Sequence, residues 1–227
     1  MEIVTARPFR PPPSALRICV KALGLIILGA GASSRMGRPK LLLPWDRTTI
    51  IGHLISQWRE LGVAQIAIVV RPNDPALAAE LDRLNFPKHD RITNPQPERG
   101  MFSSIVCAAN WPGWRSDLLR WAVALGDQPH LKTETLRRLL NFSGLNLDAI
   151  SRPAFDGRTA HPVILPRAVF EDLKTSPADT LKDFLNLARC RSVQHVINDP
   201  GLTLDLDTPE DYIKAKGFIT SHEKAGT

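Results

Sequence analysis

Leu25-Ile26-Ile27-Leu28-Gly29-Ala30-Gly31-Ala32-Ser33-Ser34-Arg35-Met36-Gly37-Arg38-Pro39-Lys40 passes from branched apolar residues to small ones and then to cations. The apolar run reads as a buried strand. The loop behind it carries so little bulk that backbone N–H groups can approach a ligand. Arg35, Arg38 and Lys40 surround that loop with positive charge, which suits a polyanion such as a nucleoside triphosphate. Gly29-x-Gly31-x-x-Ser34 comes near the dinucleotide fingerprint but lacks its third glycine, and the next strand ends in Arg71 with no acid for a ribose diol. An NADP-dependent oxidoreductase is therefore the rival from another class. No Gly-Lys-Ser/Thr of a Walker loop occurs. Lys21 and the apolar run also mimic a secretion signal, but cleavage after Ala32 would discard the loop itself.

The 227 residues fit one domain, expected over residues 21–220, with a proline-rich tail over 1–20 and a short tail over 221–227. A hydrophobic content of 43% with 23% charged residues is that of a globular chain, and no apolar run reaches membrane-spanning length. Cys19, Cys107 and Cys190 are scattered, which argues against a disulfide framework or zinc site and predicts the cytoplasm. The net charge of +6 invites nucleic acid, but the cations are spread out and no aromatic cluster offers stacking; an anionic small molecule accounts for the balance equally well.

Helical spacing predicts helices over Thr48–Leu61, Pro75–Leu84, Met101–Asn110, Thr133–Leu140, Arg167–Leu173, Ala178–Ala188 and Pro209–Lys216. Branched runs predict strands at Gln65–Val70, Arg91–Asn94, Trp121–Leu125, Asp148–Ser151, Pro162–Leu165, Val193–Ile197 and Leu204–Leu206. The alternation means βαβ units: an α/β single domain, three-layered and Rossmann-like, with a mostly parallel sheet that binds ligands beyond its carboxyl ends.

Asp127 follows an apolar strand and would face that cleft. Mg²⁺ needs few protein ligands, so one such carboxylate begins a site, although an Asp before a turn also serves as a cap. Thr208, Pro209 and Asp211 form a helix start, which leaves Asp205 and Asp207 unexplained; alternation puts both on one strand face, and Asp207 is the favoured metal ligand. Gly100 permits close approach ahead of a helix where Ser103 and Ser104 offer hydroxyls or N-caps. Trp45 is expected to border the site, while Trp58 and His53 read as packing. No serine-hydrolase elbow, zinc motif or activated cysteine is present, so catalysis should rest on positioning and electrostatics.

Leu28 to Lys40, continuing Leu41-Leu42-Leu43-Pro44, resembles the signature of the molybdenum-cofactor nucleotidyltransferases, and within them the cytidylyltransferase form L-A-A-G-x-S-x-R-M-G-x-x-K-x-L-L-P. Gly126-Asp127-Gln128-Pro129 resembles the family's G-D-x-P metal motif. Asn94-Pro95-Gln96-Pro97-Glu98-Arg99-Gly100-Met101-Phe102-Ser103-Ser104 resembles its N-x-x-x-x-x-G-M-x-x-S loop. Gly157-Arg158-Thr159-Ala160-His161-Pro162 resembles G-x-x-G-H-P, with alanine for the second glycine, and Asp205 to Asp211 resembles D-I-D-T-P-E-D. Gly29 stands where the family usually has alanine and is expected to enlarge the space beside the nucleotide.

The resemblance implies CMP transfer from CTP (or another NTP) to molybdenum-bound molybdopterin with release of pyrophosphate, and hand-over of the product to a molybdenum hydroxylase or its maturation chaperone, without nucleic-acid or membrane partners. It implies nucleotide contacts from Leu28, Gly29, Ala30, Gly31, Ser33, Ser34, Arg35, Lys40, Asn94, Gly100, Ser103 and Asp127. Acceptor contacts would come from Gln128 and His161, Mg²⁺ ligation from Asp127 and Asp207, and catalysis from Arg35, Lys40 and Asp127. GTP as donor, or a sugar phosphate as acceptor, is the nearest alternative. A cofactor-holding protein that has lost catalysis is a further one, opposed by the presence of both Asp127 and Lys40.

Overall fold

The computed structural model describes residues 21–223, apart from the side chains of Ser34 and of residues 219–223. The tail expected over residues 1–20 lies outside the described residues, as do residues 224–227. Described strands are β1 (Leu23–Leu28), β2 (Pro44–Trp45), β3 (Thr48–Thr49), β4 (Gln65–Val70), β5 (Arg91–Thr93), β6 (Arg120–Leu125), β7 (Ile150–Phe155), β8 (Arg158–Thr159), β9 (Val163–Pro166) and β10 (Ser192–Val196). Described α-helices are α1 (Ile50–Glu60), α2 (Pro75–Arg83), α3 (Met101–Asn110), α4 (Thr133–Gly144), α5 (Arg167–Asp172), α6 (Leu181–Leu187) and α7 (Pro209–Glu223).

Eight strands form one sheet in the order β10-β7-β9-β6-β1-β4-β5, with β8 hydrogen-bonded to β7. The ladders of β1 with β4 and with β6 are parallel, as are β4 with β5 and β10 with β7; β9 runs antiparallel between β6 and β7. β1 is central and buried on both faces, which is why it reads as an unbroken apolar run. Leu25 and Ile27 point into the layer containing α1, α2, α4 and α7, and Ile26 into the layer of α3, α5 and α6, so the sheet separates two cores. In the second layer Trp121 stacks on Phe170 at 4.1 Å between centroids, and Trp114 meets both edge-on.

Helix starts follow their caps. Thr49 Oγ1 accepts from Gly52 N (3.2 Å) ahead of α1, and Asp74 Oδ1 accepts from Leu77 N (3.0 Å) ahead of α2. Thr208 and Asp211 cap α7 reciprocally: Thr208 N donates to Asp211 Oδ2 (3.0 Å) and Asp211 N to Thr208 Oγ1 (3.2 Å). Three expectations are corrected. Thr48 and Thr49 precede the helix, because they pair with Pro44 and Trp45 in a hairpin turning at Asp46, φ 49°. Leu204–Leu206 forms no strand: the chain leaves a 3₁₀ turn at Pro200–Thr203 and runs to α7 without a ladder. Finally α7 continues to Glu223, past Lys216, where the helix was expected to end.

Candidate active site

β4 lies on one side of β1 and β6 on the other, so connections leave β1 in opposite directions and a crevice opens at their carboxyl ends. There Gly29 N donates to Val69 O (2.8 Å) and Gly126 N to Leu28 O (3.1 Å), which launches the two loops side by side. A Cβ on Gly126 would lie 2.6 Å from Leu28 O and 2.8 Å from Leu41 Cδ2, so only glycine allows this approach. A Cβ on Gly29 would sit 3.0 Å from both Leu41 Cδ1 and Val69 O. The missing methyl therefore relieves packing against β4, and the expectation that Gly29 widens the space beside a nucleotide is corrected. Gly31 has nothing within 4 Å of its Cβ position.

The loop is closed rather than floppy. Ser33 holds φ 52°, its Oγ accepts from Lys40 N at 3.1 Å, and Met36 is buried in the core. Anchoring Met36 leaves its neighbour Arg35 exposed. Arg35 Nη1 lies 2.8 Å from Asp207 Oδ2, and Lys40 Nζ lies 2.6 Å from Asp207 Oδ1 and 3.4 Å from Asp127 Oδ2. The loop after β1, the loop after β6 and the segment before α7 thus meet at one ammonium group. Burial pushes the Asp127 carboxyl above the ordinary carboxylate range, and the charge of Asp205 pushes the same way; Lys40 opposes both.

Asp205 and Asp207 reach the cleft although their segment carries no ladder. Leu206 between them is fully buried, and this single plug turns both flanking acids outward. The resulting cleft has a volume of about 380 Å³ and is lined by Leu28, Gly29, Ala30, Gly31, Ser33, Lys40, Asp127, Asp205 and Asp207. Leu41 and Leu125 supply apolar surface, and Pro97, Gly100, Met101 and Ser104 form the opposite wall. Its size and its mixture of apolar walls with a few convergent polar groups are those of a small-ligand site.

Four expected contacts lie elsewhere. Asn94 is buried, and its amide donates to Ser103 Oγ (2.8 Å) and Ser104 Oγ (2.9 Å), while its Oδ1 accepts from Gln96 N (2.9 Å); it braces the loop without lining the cleft. Ser103 Oγ lies 2.8 Å from Gly100 O, so Ser104, not Ser103, faces the cleft. Neither serine caps α3, whose N-cap is Gly100 with no side-chain bond. Gln128 is buried beneath the loop with Oε1 unpartnered.

His161 is held by Nδ1, 3.2 Å from Val123 O. Burial lowers its pKa, Arg152 adds to that, and Asp205 opposes it. Half-buried, it donates through Nδ1 to that carbonyl and is not among the residues lining the cleft. Trp45 does not border the site: it is fully buried in the first core layer with His53 and Tyr212 beside it. His53 and Trp58 pack as expected, and only the backbone of Ser34 is described.

A metal ion or cofactor must be judged on these donors. Among the described residues no three His, Cys, Asp or Glu side chains form a complete metal cage. Asp127 and Asp207 nonetheless present two hard carboxylates that already share one cation, Lys40. That suits an ion which takes one or two carboxylates and fills its shell from phosphates and water.

With this geometry in place, comparison with known proteins defines the class. Residues 25–196 match the MobA-like NTP transferase domain, and the chain belongs to that family of nucleotidyltransferases. It is 26% identical over 202 residues to the molybdenum cofactor cytidylyltransferase of Escherichia coli K12, covering 88% of this chain and 99% of that protein. It is 33% identical over 118 residues to the bifunctional protein GlmU of Bradyrhizobium diazoefficiens, half of this chain but only 25% of that longer one. A nucleotidyl transferase from Methanothermobacter has the same fold, with a TM-score of 0.71 at 18% identity over 88% of this chain and 99% of the other. No described helix is long and apolar enough to cross a membrane.

Proposed function

We propose that the protein transfers CMP from CTP to the phosphate of molybdenum-bound molybdopterin, forming the cytosine dinucleotide cofactor and releasing pyrophosphate. The observation that carries the reading is the meeting of Lys40, Asp127 and Asp207 in one cleft beneath the Gly29–Lys40 loop. Similarity to a molybdenum cofactor cytidylyltransferase over 88% of this chain supports this choice of substrates.

In this reading the triphosphate lies along residues 29–33, whose small side chains let it approach the backbone, with the base toward Gly100, Met101 and Ser104. A phosphate oxygen of the acceptor attacks the α-phosphorus in line, the new P–O bond forms as the bond to the β-phosphate oxygen breaks, and pyrophosphate leaves. Asp127 and Asp207 would hold Mg²⁺, which supplies charge neutralisation at the α-phosphate and the attacking oxygen. Lys40 and Arg35, released from the carboxylates, stabilise the charge that builds on the departing pyrophosphate. The acceptor is already anionic and needs no strong general base. His161, half-buried and held by its Nδ1–H on Val123 O, would shape the acceptor side without transferring a proton. Free Cys107 and Cys190 agree with a cytoplasmic setting, where the product would pass to a molybdenum hydroxylase or its maturation chaperone.

Calorimetric titration with CTP, GTP, UTP, ATP and NADPH, each with and without Mg²⁺, tests the reading. It requires CTP binding that depends on the metal and disappears in Asp127→Ala. Preference for GTP would keep the chemistry and change the product; binding of NADPH alone would overturn the proposal.

A further inference from the structure

Asp205 and Asp207 sit on a segment with no sheet hydrogen bonds, yet Asp207 must hold a fixed place opposite Asp127. The residues that fix it form a buried polar clamp that no sequence motif announced. Asp199 is 3% exposed and forms no ion pair among the described residues; its Oδ2 accepts from Thr135 Oγ1 at 2.5 Å and its Oδ1 from Gly201 N at 3.0 Å. His130, also buried, places Nε2 3.0 Å from Gly201 O, to which it donates. A buried carboxylate without a cation is costly unless hydrogen-bonded, so Asp199 favours the one loop geometry that delivers both donors.

The clamp joins the two stretches that end in the cleft acids. Thr135 and His130 follow Asp127 within eight residues, and Asp199 and Gly201 precede Asp207 by the same span. The first stretch is itself tied down, since Gln57 Nε2 donates to Leu131 O at 2.7 Å. Leu202 and Leu206 anchor the second in the core.

We infer that Asp199, held by Thr135 and Gly201, is a positioning residue that sets the spacing between Asp207 and Asp127 and so the affinity of the site for a divalent cation. This rests on the nucleotidyltransferase reading above. The test uses the full chain and reads binding: the Mg²⁺ concentration that half-saturates the metal-dependent component of CTP binding, by calorimetry. Asp199→Asn and Thr135→Val are expected to raise that concentration about tenfold, as loss of outer hydrogen-bond partners does at other metal sites. CTP affinity without metal should stay where it is, and Thr135→Ser, which keeps the donor, should restore the wild-type response. Thr135→Val removes one hydrogen bond and keeps the inference testable should Asp199→Asn not fold. Folded variants with an unaltered Mg²⁺ requirement would overturn the positioning role alone. A wild-type protein that binds no triphosphate under any metal condition would overturn the underlying reading as well.

Discussion

Lys40 Nζ lies 2.6 Å from Asp207 Oδ1, a contact across 167 positions of chain that joins the loop after the first strand to the start of the last helix. A cation so placed holds two carboxylates together, and in the proposed reaction it would also stabilise the departing phosphates. Its removal acts on both. Lys40→Ala is expected to lower the rate of pyrophosphate release from CTP by about 10²–10³-fold, the scale for losing one preorganised electrostatic group. Lys40→Arg should recover only part, because a planar fork does not replace a compact ammonium between two oxygens. An unchanged rate in Lys40→Ala would remove this residue from catalysis.

Asp205 and Asp207 line the same cleft, but only Asp207 pairs with Arg35 and Lys40 among the ion pairs found between described residues. Asp207→Ala should therefore abolish metal-dependent nucleotide binding as Asp127→Ala should, whereas Asp205→Ala should weaken it by less than about tenfold, below the range for losing an outer partner of a metal ligand. Calorimetry on the three variants separates the roles. Equal losses at 205 and 207 would assign the metal to the wrong acid.

Three cleft glycines differ in what a methyl group would meet. Gly126→Ala drives Cβ to 2.6 Å from a backbone oxygen and should destabilise by about 1–3 kcal/mol, the usual overpacking cost. In a domain of this size each kcal/mol lowers Tm by about 2–4 °C. Gly29→Ala, at 3.0 Å, should cost less, and Gly31→Ala, which meets nothing, should leave Tm within experimental error. Scanning calorimetry ranks them. Because the Gly29 methyl points at Leu41 and Val69, Gly29→Ala should also leave the preference between CTP and GTP unchanged.

Burial holds His53, His130, His161 and His195 below the ordinary value of 6.5. Between the folded and unfolded pKa values the unfolded chain binds more protons, so stability rises with pH through that window and is fully present above 6.5. Acidification from about pH 7.5 to about pH 5.5 is expected to lower Tm. In His130→Asn, which keeps a donor for Gly201 O but cannot titrate, the drop should be smaller. Parallel pH–Tm curves for the two proteins would show that His130 does not contribute.

Much of this fold was legible because its strongest signals are local. β1 and β4 are branched runs buried on both faces, and α3 starts where Gly100, at φ 89°, ends the preceding turn. Leu204–Leu206 was misread because its apolar–acidic alternation is satisfied by one plug, Leu206, without a partner strand. In the site, glycines and charges were legible because motif spacing fixes backbone and loop. Asn94 and Ser103 were not, since a motif cannot say whether a polar group faces a ligand or its neighbour. One residue of helical phase decides between Ser103 and Ser104. Leu41, Leu125 and Pro97 carried no signal, because apolar cleft wall and apolar core look alike in sequence, and Met101 stood in the resembling motif without an assigned role. Asp199 and His130 were silent for a related reason: their partners are 64 and 71 positions away.

The five tryptophans divide between the two cores, Trp45 and Trp58 in one and Trp111, Trp114 and Trp121 in the other, and none lines the cleft. Trp111 and Trp114 are 5.0 Å apart and nearly perpendicular, close enough for their excited states to couple. Ultraviolet emission and near-ultraviolet dichroism of this protein are thus optical gauges of how the layers sit on the sheet. They should report melting of either core faithfully while passing over the arrival of a nucleotide, which must be followed by heat or by a fluorophore placed on the ligand.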